Sequence, residues 1–178
     1  IHHRLVGSEM CIRDSDGSIN IADEIGKLQT RIERELKQTY EKLGAWEKVQ
    51  VARHPDRPKV SAIFDRLLTD FTPLSGDRNY AEDHAVIAGM ARFRGQPVMV
   101  MGTEKGSSTE DRVKRNFGMA RPEGYRKASR LMDLAGRFGL PVLSFVDTAG
   151  AYPGRGAEER GQAEAIASAI RGCLNLPT

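Results

Sequence analysis

The stretch PVLSFVDTAGAYPGRGAEERGQ, Pro141 to Gln162, begins as an apolar run, breaks at Asp147 and ends at the head of an Ala-rich segment. Pro141 to Val146 reads as a strand, the Ala-rich segment reads as a helix, and the sequence between them reads as a turn. Gly150, Gly154, Gly156 and Gly161 let that turn bring its backbone close to a ligand and aim N–H groups at it. Upstream, Pro122 suits a helix start. Tyr125, Ala128, Leu131, Met132, Ala135 and Phe138 share one face, and Gly139 ends the helix. Further upstream, Ala85 to Phe93 and Pro97 to Met101 read as two strands joined by Arg94-Gly95-Gln96, a hairpin. Ser108 with Asp111 predicts a capped short helix toward Asn116. Strand, crossover helix and strand in this order require parallel pairing, so the class is α/β with ligands at strand carboxyl ends. Asp147 onward occupies such an end.

The sequence before the hairpin has a different character. Ile21, Ile25, Leu28, Ile32, Leu36, Tyr40 and Leu43 recur every three or four residues among Lys, Glu, Arg and Gln, predicting one amphipathic helix that ends at Gly44. Its single apolar stripe must bury against the domain or against a partner subunit. A second helix is expected over Ala45 to Arg53. A third is expected from Ser61 to Phe71, with Ile63, Phe64, Leu67, Leu68 and Phe71 on one face. The opening IHHRLVGSEMCIRDS, Ile1 to Ser15, has no helical or strand period and reads as a non-native, adaptor-derived tail. The expected organisation is therefore a tail over 1–15, a helical region over 16–75 and the main domain over 76–178.

Composition sets broad bounds. A chain of 178 residues with 39% hydrophobic and 29% charged residues can hold a proper core, and a net charge of +3 is too weak to indicate nucleic acid. No apolar stretch reaches membrane-spanning length and no secretory leader is legible, so a cytoplasmic location away from membranes is expected. Cys11 and Cys173 lie at opposite ends without metal-ligand spacing, so no metal is expected.

The chemistry of the turn can be read in three ways. Asp147-Thr148-Ala149-Gly150 looks like the switch of GTP-binding proteins, but the chain lacks the G-x-x-x-x-G-K-[ST] phosphate loop that chemistry needs. An anion site at a helix start near Ala157 meets Glu158 and Glu159, which already occupy the positive end of the dipole. The third reading is an oxyanion hole in which the N–H groups of Gly150 and Ala151 meet an oxygen that gains charge in the transition state. No serine sits on a nucleophile elbow, and His54 and His84 are isolated from any partner motif, so backbone donors rather than a triad carry this reading.

Four ordered blocks resemble one family: LGAWEKVQVARHPDRP (Leu43 to Pro58), GDRNYAEDHAVIAGMAR (Gly76 to Arg92), RNFGMARPEGYRKASRLM (Arg115 to Met132) and DTAGAYPGRGAEERGQ. The chain is similar to the bacterial acetyl-coenzyme A carboxylase carboxyltransferase alpha subunits. The resemblance implies a crotonase-like ββα spiral fold, preceded by N-terminal helices and incomplete at the C-terminus. It also implies carboxyl transfer from carboxybiotin to acetyl-CoA, giving malonyl-CoA for fatty-acid synthesis. No cofactor is expected to bind directly; carboxybiotin arrives on its carrier protein and acetyl-CoA is the substrate. The implied partners are a carboxyltransferase beta subunit in an alpha-two beta-two assembly, the biotin carboxyl carrier protein and biotin carboxylase.

Gly150 and Ala151 are then the expected backbone donors, and Tyr152 and Gly154 of the same turn are expected substrate-binding residues. Arg112 to Arg130 holds seven basic residues against one acid, Glu123. From this stretch Arg115, Asn116, Tyr125 and Arg126 are candidate substrate contacts. The basic groups suit coenzyme A phosphates or an acidic carrier, and equally a solvated face or intersubunit ion pairs. Tyr125 also lies on the apolar helical face, where core packing would use it. The family usually carries proline where this chain has Ala149. The family continues beyond Thr178 into another strand and a second glycine-rich loop, so this chain is expected to be inactive alone. Two other readings stay open: a noncatalytic partner-binding scaffold, and an acyl-CoA hydratase or isomerase using Glu158 and Glu159.

Overall fold

The computed structural model describes residues 21–177, and the tail read as Ile1 to Ser15 lies outside the described residues. Two compact units divide between Arg57 and Pro58. In the first, α1 (Ile21–Glu41) and α2 (Ala45–Ala52) are separated at Gly44, whose N–H donates to the Glu47 carboxylate. The expected stripe of α1 is present, and Ile25, Leu28, Ile32, Leu36 and Tyr40 are each between 45% and 57% exposed.

The second unit is a four-stranded sheet with helices. Its elements are α3 (Val60–Leu67), β1 (Leu68–Pro73), β2 (Val86–Phe93), β3 (Gln96–Thr103), α4 (Thr109–Lys114), α5 (Pro122–Phe138), β4 (Val142–Phe145), α6 (Arg155–Glu158) and α7 (Gln162–Leu174). Strand order is β1-β2-β3-β4. The β1–β2 and β2–β3 pairs are antiparallel, whereas β3 and β4 run parallel with Met99 opposite Val142 and Gly102 opposite Phe145. The hairpin closes through Arg94 and Gly95, at φ 51° and 81°, the positive pair that a two-residue primed turn needs to match strand twist. As expected, α5 starts at Pro122 and ends on Gly139 in the left-handed conformation.

The helix expected from Ser61 to Phe71 is corrected. It stops at Leu67, and Leu68 to Pro73 is extended, with Leu68 paired to Phe93 and Thr69 to Arg92. The free edge of β2 supplies hydrogen bonds that a solvent-facing last helical turn lacks, and Thr69, Phe71 and Thr72 favour strands. A bulge with Asp70 at φ 54° lies between Thr69 and Thr72. The sheet therefore begins inside the segment read from sequence as helical.

Strand β3 shows why the core forms. Val98 and Val100 pack with Val60, Phe64, Leu68 and Ala91, while Met99 and Met101 pack with Ala88, Leu131, Met132 and Ala135. Alternation with period two thus sends β3 side chains into two clusters, one with α3 and one with α5. Burial of both faces fixes the register, and with it the point where β4 ends and the Asp147 turn begins.

Candidate functional site

The turn is tied to the sheet at its first residue. The Asp147 N–H donates to Thr103 Oγ1 at 2.7 Å, and the Asp147 carboxylate pairs with Lys105 at the adjacent end of β3. Thr148 turns inward. Its Oγ1 lies 2.6 Å from the Gly118 carbonyl and 2.9 Å from the Gly150 carbonyl, and it accepts the Gly150 N–H at 3.1 Å. Gly150 sits at φ 153°, open to glycine and strained for other residues. Ala151 then forms a parallel bridge with Ala120, through the Tyr152 N–H donating to the Ala120 carbonyl at 3.0 Å.

Of the two expected donors, Gly150 spends its N–H on Thr148. Among the described residues the Ala151 N–H has no intrachain partner. The Arg121 guanidinium stacks 4.7 Å from the centroid of the Tyr152 ring, and a Cβ on Gly154 would lie 2.2 Å from that ring. Gly154 is thus the residue whose missing side chain makes room for Tyr152. Helix α6 starts at Arg155, not near Ala157, which is buried. Glu158 and Glu159 fall at its end, exposed, with Glu159 on Arg155 at 2.6 Å.

The segment facing the turn is unusual. Asn116, Phe117 and Gly118 all have positive φ (48°, 57° and 80°), a left-handed turn that costs of order 1 kcal/mol or more for each non-glycine residue. Buried Asn116 accepts from Arg121 at 3.0 Å, so it serves that turn. Phe117 is exposed.

Most of the basic stretch goes elsewhere. Arg115 binds Asp111 at 2.7 Å and the His84 carbonyl at 3.0 Å. Arg126 spans Asp77 at 2.8 Å, the Arg160 carbonyl at 3.0 Å and Glu123 at 3.2 Å. Lys127, 1% exposed, meets Glu82 and the Asp83 and Val86 carbonyls, while Arg130 holds the Ser75 and Gly76 carbonyls. Arg126, Lys127 and Arg130 hold the segment between β1 and β2 against α5. Tyr125 is half-buried, and burial, with the nearby Asp83 carboxylate, raises its phenol above the ordinary value.

Electrostatics follow the same pattern. Burial raises the Asp83 carboxyl, outweighing the N–H bonds from Ala85 and Arg121 and the charges of Lys127 and Arg121. Asp83 accepts the Arg121 N–H at 2.8 Å, so it anchors the residue next to the Ala120 bridge. For Glu123 burial works upward too, but Arg160 at 2.6 Å and Arg126 hold the carboxyl below its usual value. Sequence reasoning missed Arg121, Thr148 and Gln162 as site-building residues. Gln162 closes the quoted motif, and nothing local indicates that its amide is buried and donates to the Ala120 and Tyr152 carbonyls at 3.0 and 3.2 Å.

Residues 7–178 match the family model of acetyl co-enzyme A carboxylase carboxyltransferase-like proteins. The chain belongs to this family. It is 61% identical over 160 residues to the acetyl-coenzyme A carboxylase carboxyl transferase subunit alpha of Rhodospirillum centenum, covering 90% of this chain and 50% of that one. It is 60% identical over 163 residues to the subunit of that name from Methylobacterium sp. (strain 4-46), covering 92% and 51%. The chain spans about half the length of the curated relatives it matches. Among solved structures it is similar to the beta subunit of P. aeruginosa geranyl-CoA carboxylase, with a TM-score of 0.54 and 21% identity over 70% of this chain and 22% of that one. A single-chain long-chain acyl-CoA carboxylase gives 0.55 and 21% over 72% and 13%. The fold is the crotonase-like carboxyltransferase fold, and among the described residues β2, β3 and α5 follow in that order and lead into β4.

Proposed function

We propose that this chain supplies one half of a carboxyltransferase site that moves a carboxyl group from carboxybiotin to acetyl-CoA. The observation that carries the reading is the Ala151 N–H, unpaired among the described residues while both neighbouring N–H groups are bonded. An acetyl thioester must become an enolate, and the biotin ureido group must leave as an anion, so oxygens gain charge only as reaction proceeds. A fixed backbone donor suits that need, and losing one such donor elsewhere costs about 100- to 1,000-fold in rate. Carboxybiotin comes on a carrier protein charged by biotin carboxylase, and a beta subunit forms the facing half, all in the cytoplasm. The exposed stripe of α1 favours docking on that subunit. Exposed Glu158 and Arg155-paired Glu159 do not favour the hydratase reading, which needs a desolvated acid and base.

The test uses malonyl-CoA formation from acetyl-CoA and carboxybiotin with a beta subunit present. The 178-residue chain is expected to give no turnover. A chimera placing it in the matching half of the Rhodospirillum centenum subunit is expected to be active. Ala151→Pro removes the donor and should lower kcat of the chimera about 100-fold with its melting point retained. Undiminished turnover by that variant would sink the proposal.

A further inference from the structure

We infer that Thr148 and Gln162 are positioning residues that together aim the Ala151 N–H, an inference that rests on the donor reading of that N–H. The peptide between Gly150 and Ala151 sets the direction of the donor. No cis bond occurs among the described residues, so the Gly150 carbonyl and the Ala151 N–H point in opposite directions. The carbonyl is turned toward Thr148 Oγ1 at 2.9 Å. Its partner N–H must therefore face away from the hydroxyl.

Thr148 is itself fixed, because its Oγ1 also meets the Gly118 carbonyl at 2.6 Å and accepts the Gly150 N–H. Its single hydrogen is shared between the Gly118 and Gly150 carbonyls, so one hydroxyl ties the turn to the left-handed Asn116–Gly118 segment and orients the peptide that carries the donor. Gln162 is 4% exposed, and both of its Nε2 hydrogens are used, one on Ala120 and one on Tyr152. The Ala120 carbonyl is the acceptor in the bridge that seats Ala151, and the Tyr152 carbonyl belongs to the residue whose N–H makes that bridge. The Gln162 Oε1 atom is buried and has no hydrogen-bond partner. An amide with a buried, unpaired oxygen costs stability that an apolar side chain of similar length would not, so the two Nε2 bonds are the reason to hold it there.

The test joins kinetics in the active chimera with the amide resonance of Ala151 in the labelled 178-residue chain. Thr148→Val keeps shape and loses the hydroxyl, Thr148→Ser keeps the hydroxyl, and Gln162→Met keeps length and loses both donors. Thr148→Val should lower kcat roughly 10- to 100-fold, with KM for carboxybiotin within about twofold. Thr148→Ser should restore kcat to within about threefold of the parent, and Gln162→Met should lower it about tenfold. The Ala151 resonance should move in the Val and Met variants and stay in the Ser variant. If it stays put in Thr148→Val, or if Ser fails to rescue kcat, the clamp is overturned. If the parent chimera shows no turnover while the resonance moves as stated, the donor reading fails and the clamp stands. Should Gln162→Met not fold, the Val and Ser pair decides alone.

Discussion

Arg126 donates its Nε–H to Asp77 Oδ2 at 2.8 Å, joining the second turn of α5 to the segment between β1 and β2 across 49 residues. Asp77 also accepts the N–H groups of Asn79, Tyr80 and Ala81, so one buried carboxylate both shapes a turn and receives a guanidinium. The pair belongs to the architecture of the unit. Arg126→Met should therefore lower the unfolding free energy by about 3 kcal/mol, because it leaves Asp77 buried without its cation. Urea unfolding of the chain measures this. A change within about 0.5 kcal/mol would mean the contact is dispensable, as surface pairs are.

The same carboxylate predicts a pH dependence. Burial raises Asp77, but the Tyr80 N–H, the Arg126 guanidinium and the Asn79 and Ala81 N–H groups more than offset it, lowering it from 3.8 to about 2. A depressed carboxyl contributes stability above its unfolded value and loses it as pH falls through the folded one. Roughly 2 kcal/mol should disappear between about pH 4 and pH 2. Subtracting the Asp77→Asn profile from that of the parent isolates this contribution, and a flat difference over that interval contradicts the assignment.

Gly89 makes a separate case in the sheet. A Cβ there would lie 2.1 Å from the Thr72 carbonyl, which is backbone and cannot swing aside. Gly89→Ala should push β1 off β2 and cost about 2 kcal/mol or more, seen as faster amide exchange over Leu68 to Pro73. Unchanged exchange in β1 would refute it.

Gly154→Ala should act on the candidate site rather than on the core. The added methyl meets the Tyr152 ring that Arg121 covers, so the ring must leave its stack. In the active chimera we expect kcat/KM to fall about tenfold, with the melting point lowered by only a few degrees. Wild-type kinetics would show that the Tyr152 position is immaterial to turnover.

The sequence made the regular elements legible where local signals agree with tertiary demands. Pro122 and Gly139 bracket α5, and Arg94-Gly95 supplies the turn of the hairpin. The failure at Leu68 is equally instructive. Apolar residues at 63, 64, 67, 68 and 71 satisfy a helical period, yet the open edge of β2 draws 68 to 73 into the sheet. Helical spacing is a local property, whereas an unpaired strand edge comes from residues more than fifteen positions away. The basic stretch shows the same limit. Its charges are plain in the sequence, but their partners Asp77, Glu82 and the carbonyls of Ser75 and Gly76 become neighbours only when α5 packs on the sheet.

The glycine-rich turn divides most clearly. By itself the sequence determined that a strand runs out before Asp147, that a glycine-rich loop follows, and which family's ordered blocks it carries. Those are properties of residue type and spacing along one segment. Only the tertiary structure showed that the Gly150 N–H is spent while that of Ala151 has no partner among the described residues, because this depends on where the Thr148 hydroxyl points and on the Ala120 carbonyl reaching Tyr152. The orientation of a peptide plane is set by hydrogen bonds across space, and no pattern along the chain encodes it.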